Sequence, residues 1–228
     1  MKKAISILLV LSVSIVCIIG NTLAEDFTLH SGVSFGMTLE EVKKIEEDAG
    51  FSTDIPDNNA YLQVYGKIAS IENSAINYYF ENNKMNIAKY RFGNDSTDRG
   101  NNEYSLIHES LNNRYGSASG LPDGFHTKQF IEDMKNIVGD GITTNDGTIT
   151  RDEGWLIPHD NGYIAIEHYT FYYQFTQTFL NAGMIDYYPE GKAFYHVISY
   201  EWYDADDPAI ANALNAVQEN ISQLNNDL

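Results

Sequence analysis

AINYYFENNKMNIAKYRF, residues 75–92, decides the fold. Its first run alternates with period two: Ile76, Tyr78 and Phe80 share one face, and Ala75, Asn77 and Tyr79 share the other. After Glu81-Asn82-Asn83-Lys84 the alternation resumes, with Ala88, Tyr90 and Phe92 opposite Ile87, Lys89 and Arg91. Asn tolerates the positive φ of a tight turn, so Asn82-Asn83 predicts an antiparallel hairpin between the runs.

Working outward, Ala60 to Tyr65 reads as a further strand ending at Gly66, and 67–71 as extended chain. Ser52 to Asn59 reads as a polar loop. Past residue 154 the pattern returns. Trp155 to Ile157 and Tyr163 to Tyr172 flank the turn His159-Asp160-Asn161-Gly162, and Phe175 to Leu180 offers a third run. In Ala193 to Tyr203, Phe194, His196, Ile198 and Tyr200 alternate with Tyr195, Val197, Ser199 and Glu201. Ile142 to Thr150 reads as a small hairpin about Asn145-Asp146-Gly147.

The helices have period 3.6 and recognisable ends. Thr38-Leu39-Glu40-Glu41 is a capping box. It opens a helix to Ala49 with Leu39, Val42, Ile45 and Ala49 on its apolar stripe and Gly50 as its stop. Asn102 to Tyr115 repeats the spacing and ends at Gly116, and His126 to Val138 is a shorter amphipathic helix. Asp207 as N-cap and Pro208 at the first helical position start a last helix, with Ile210, Leu214, Val217, Ile221 and Leu224 as its stripe. Strands joined by turns rather than by crossover helices predict an α+β fold: antiparallel sheet with helices packed on one face, in two related helix-plus-sheet halves or one. The expected organisation is 25–116 as a helix-plus-sheet module and 117–154 as an insertion with a short helix and hairpin. Residues 155–228 then complete the sheet or form a second module.

Residues 1–24 read as a secretory signal peptide: Lys2 and Lys3, an apolar run to Gly20, then Thr22 and Ala24 ahead of Glu25-Asp26. Cleavage is expected after Ala24, with retention as a membrane anchor the alternative. The sole cysteine, Cys17, lies inside this run with Val16 before it, a poor fit to lipidation. The remaining chain has no thiol, so its stability comes from a core. It carries 12 basic against 32 acidic residues, a formal charge of −20. That surface repels phosphate backbones and anionic headgroups, which argues against nucleic acid and membrane as partners.

The run Phe35-Gly36-Met37-Thr38-Leu39-Glu40-Glu41-Val42, followed by the 75–92 sheet segment and a helix ending Arg114-Tyr115-Gly116, resembles uncharacterised secreted or lipid-anchored proteins of Gram-positive bacteria. Those carry an FGMS-x-x-EV motif and a helix ending in YG. The arrangement is more loosely similar to the modules of the outer-membrane assembly lipoprotein BamE and of the secreted β-lactamase inhibitor protein. The resemblance spans residues 31–116 and implies a binding role. It carries over no partner-contact residue, and 117–154 has no counterpart in it.

Of the chemistry-bearing residues, Asp146 and Glu153 match positions five and twelve of a calcium-binding loop. Ile142 cannot serve as its first ligand, and a plain Asp-Gly hairpin explains the same residues. His159, His168 and His196 lack a metal-ligand spacing. Ala118 stands where a nucleophile elbow needs serine. Asp204, Asp206 and Asp207 beside Trp202 suit helix capping better than a sugar site.

The sequence therefore predicts a secreted, tyrosine-rich, non-enzymatic binding module. Its partner is another protein or an extracellular polymer, met through an aromatic sheet face that includes Tyr78, Tyr90, Tyr169, Tyr172, Tyr200 and Trp202. No cofactor is expected beyond calcium at Asp146 and Glu153. The alternatives are an extracellular hydrolase using paired carboxylates on carbohydrate or peptide, and a calcium-stabilised surface module.

Overall fold

A computed structural model describes residues 27–56, 61–94, 97–118, 125–139, 148–174, 181 and 191–215. The leader 1–24, Asp146 with the rest of 142–147, the run 175–180 and the end of the last helix lie outside the described residues.

The hairpin at 82–83 forms as its chemistry dictates. Strand β3 (Ile71–Glu81) turns at Asn82 and Asn83, both at positive φ (51° and 62°), into β4 (Lys84–Asn94). Strands β1 (Ser52–Asp54) and β2 (Tyr61–Ile68) precede them, so part of the expected polar loop at 52–59 is a short strand paired to β2. The expected extended chain at 67–71 instead contains the Ala69-Ser70 turn between β2 and β3. Strands β5 (Thr148–His159), β6 (Gly162–Gln174) and β7 (Lys192–Asp204) form a second meander, with β5 and β6 joined at Asp160-Asn161. Residues 148–154 belong to β5, so the boundary drawn at 154 falls inside a strand, while the turn and first arm of the expected 142–150 hairpin lie outside the described residues.

All described strands lie in one antiparallel sheet, ordered β1-β2-β3-β4-β7-β6-β5. The two meanders meet where β4 pairs with β7, with Ala88 opposite Tyr200 and Tyr90 opposite Ile198. The expected α+β class with an antiparallel sheet is what the chain adopts.

Helix α1 (Leu39–Asp48) carries the full capping box. The Glu41 N–H donates to Thr38 Oγ1 (3.3 Å) and the Thr38 N–H to Glu41 Oε2 (2.8 Å). Helix α2 (Thr97–Tyr115) crosses the same sheet face. There Val42 of α1 and Ile107 and Leu111 of α2 pack with Ile76, Tyr78, Ile166, Ile198 and Trp155 in the main core. Burying one such aliphatic side chain contributes about 1.5–3 kcal/mol.

Helix α3 (Lys128–Gly139) and the start of α4 (208–215) lie against the other face. Phe130 of α3 meets the Tyr169 ring edge-on at 5.0 Å, and Ile210 of α4 packs on Ala165 and Tyr203. Helices expected on one face are thus divided between two. The second face carries Ala165, Tyr169, Val197 and Tyr203 among polar and charged residues, and burying those apolar groups calls for cover on that side as well.

Candidate functional site

Four of the six aromatic residues expected to face a partner are buried beneath helices. Tyr78, Tyr90 and Tyr200 are buried on the face beneath α1 and α2, and Tyr169 is buried beneath α3. Trp202 is half-buried against the main core, and Tyr172 takes its place in β6 opposite Phe194. The expected solvent-facing aromatic platform is therefore corrected. Alternation assigned these residues to faces, and covering helices closed the faces.

The buried phenols find polar partners, as they must. Tyr78 donates to Glu46 Oε1 at 2.5 Å, and the His30 N–H donates to Tyr90 Oη at 2.8 Å. Glu46, fully buried on α1, also accepts from Ser31 Oγ (2.9 Å) and lies 2.9 Å from His30 Nδ1. Burial pushes the hydroxyls of Tyr78 and Tyr200 well above the usual phenol range, so both stay protonated.

Above Tyr90 and Tyr200 the sheet and α2 part to leave a cavity of ≈ 480 Å³. Phe92, Ile107, Leu111 and Ile198 give it apolar walls, while Leu106, 67% exposed, and Ser110 stand on the α2 side. Among the described residues its one cationic side chain other than histidine is Arg114. The guanidinium lies 5.3 Å from the Tyr115 ring centroid and 5.8 Å from that of Phe27, and Nη2 donates to Thr28 O at 3.4 Å. Cation–π stacking on two rings holds the charge over apolar surface.

On the other face the start of α3 sits on two carboxylates. The Thr127 N–H (2.9 Å) and Oγ1 (2.6 Å) donate to Glu167 Oε2 from β6, and the Lys128 N–H donates to Glu201 Oε2 from β7 (2.8 Å). Thr127 Oγ1 also accepts from the Phe130 N–H (3.1 Å), the usual N-cap bond. Burial pushes Glu167 up to about 8 against the lowering bonds from Thr127, and Glu201 up to about 7 against the nearby Lys128. One turn on, Lys89 of β4 pairs with Asp133, which also accepts from the Tyr169 hydroxyl, all three being buried. His126 Nδ1 lies 3.1 Å from Glu167 Oε1 and 3.5 Å from Asp152 Oδ2, so one imidazole and two carboxylates converge.

No family profile, curated protein or solved structure matches this chain.

Glu153 of β5 points beneath α2, 2.6 Å from His108 Nδ1 and 3.9 Å from His168 Nδ1. Burial raises this carboxyl, but hydrogen bonds from His168, His108 and Tyr104 outweigh it and hold it at about 2. Its expected calcium partner, Asp146, lies outside the described residues. His168 and His196 do come together, with ring centroids 6.1 Å apart and Tyr104 stacked on His168, whereas His159 packs against Phe27. Asp207 caps α4 through the Ala209 N–H (2.8 Å). With Trp202, Asp204 and Asp160 it also lines a second, more polar cavity of ≈ 530 Å³. No sequence signal marks His126, Asp152 and Glu167 as a group: they lie on three separate segments, joined by the β5–β6 register and by the docking of α3.

Proposed function

We propose that the chain is a non-enzymatic binding protein acting outside the cell, whose ligand is a small, mainly apolar molecule with one anionic end. The cavity over Tyr90 and Tyr200 carries this reading. Its ≈ 480 Å³ falls in the range of small-ligand sites, its walls are apolar, and its polar groups are few and fixed. Arg114 is placed to meet a carboxylate while the aliphatic walls take the tail. The net charge of −18 would keep highly anionic polymers away from everything but such a local cation.

The test uses the full chain with the anionic dye 1-anilinonaphthalene-8-sulfonate and a saturated fatty acid as competitor. The dye should bind saturably and be displaced by the fatty acid. Ser110→Trp, which fills the mouth from an exposed helix position, should abolish both effects. Arg114→Ala should weaken the acid about tenfold while leaving a neutral alcohol of equal length unchanged. A Ser110→Trp variant that binds like the parent would refute the cavity as the site.

A second reading, a hydrolase acting on carbohydrate or peptide with paired carboxylates, draws on Asp160, Asp204, Asp207 and Trp202 around the ≈ 530 Å³ cavity. It requires turnover of glycoside or peptide substrates that Asp204→Asn eliminates.

A further inference from the structure

His126, Asp152 and Glu167 have the spacing of ligands around one metal ion. Two bonds of about 2.0–2.1 Å at tetrahedral angles put neighbouring donor atoms about 3.3 Å apart. His126 Nδ1 lies 3.1 Å from Glu167 Oε1 and 3.5 Å from Asp152 Oδ2, and the three ligand atoms all lie within 4.8 Å of one another. We propose that these side chains form a zinc-class divalent metal site that clamps the start of α3 to strands β5 and β6.

The surroundings prepare two of the three ligands. Both Thr127 donors hold Glu167 Oε2, which leaves Oε1 directed at His126. His126 is stacked on Phe130 at 4.1 Å and 10° between planes, so its ring orientation is fixed by packing. Such outer contacts orient metal ligands ahead of binding. Glu167 is 1% exposed, whereas His126 and Asp152 are about one-third exposed, so the site is anchored at its floor and open at its rim for water as the remaining ligand. The donor set discriminates between cations. One imidazole nitrogen with two carboxylate oxygens suits zinc and its transition-metal neighbours, whereas calcium asks for six to eight oxygens. This inference is independent of the cavity beneath α2, since none of the three side chains lines it.

Zinc chloride is titrated into the full chain, with calorimetry for stoichiometry and thermal unfolding for stability. One equivalent should bind, and at a hundredfold excess over Kd the Tm should rise by about 5–10 °C. Calcium should give no shift at the same concentration. His126→Ala and Asp152→Asn alter partly exposed side chains, and each should keep the metal-free Tm within a few degrees while losing at least tenfold in zinc affinity. His108→Ala, at the separate Glu153 cluster, should bind zinc like the parent. Absence of saturable zinc binding overturns the proposal. So does parental affinity in either ligand variant, or loss of binding in His108→Ala.

Discussion

Glu153 and Glu167 lie on neighbouring strands and opposite faces, and they hold their protons in opposite ways. Glu167 is pushed up to about 8 and Glu201 up to about 7, so the stability each adds is fully present below about pH 4.5 and is lost as pH rises through those values. Glu153, held at about 2, contributes stability that is present above about pH 4.5 and is lost as pH falls toward 2. Asp152, His126, Lys128 and Tyr203 are charged or titratable neighbours of the two raised carboxyls, which also repel each other when both are charged. In chelator, urea unfolding should therefore show stability falling between pH 5.5 and pH 8.5, by on the order of 2–4 kcal/mol. Glu167→Gln should flatten that slope; an unchanged slope would remove Glu167 as its source. Tyr78→Phe takes a donor from buried Glu46 and should cost about 1–3 kcal/mol in the same assay. At this scale the sequence was half legible. Period-two spacing told which tyrosines share a face, but wetness depends on what covers the face, which no strand encodes.

Helix α3 is anchored to the sheet at its first turn. Thr127→Val keeps the shape of the side chain and removes the hydroxyl that both donates to Glu167 and caps the Phe130 N–H. The expected loss is about 1–3 kcal/mol, with hydrogen-exchange protection falling in α3 before it falls in β6 or β7. The β5–β6 corner is equally specific. A Cβ on Gly162 would collide with the main-chain oxygen of Tyr203 on β7, which cannot swing aside as a side chain can. Gly162→Ala should lower Tm by several degrees, whereas Asn83→Gly in the other hairpin should be neutral or slightly stabilising. Elements that advertise their own ends were legible: the Asn82-Asn83 turn, the Thr38–Glu41 box, and Asp207 before Pro208. Strand β1 was not. Three residues carry no measurable period, and they become a strand because β2 lies alongside.

Across the whole molecule, β4 and β7 make the sheet continuous, and they pair residues as distant in sequence as Ile87 and Glu201. No local pattern announces such a contact, which is why one sheet and two remained equal readings of the same strands. A shared sheet should unfold as a unit, with far-ultraviolet circular dichroism and tryptophan fluorescence of Trp155 and Trp202 tracing the same denaturant transition. Two separated transitions would mean that the meanders are independent. The β4–β7 join also sets an order in time. As the chain leaves the ribosome, β4 is complete roughly a hundred residues before its neighbour on that side exists, so the nascent polypeptide carries an open strand edge until β7 emerges. Closure of that edge waits for β7, and until then the β4 backbone must be kept from pairing with other chains.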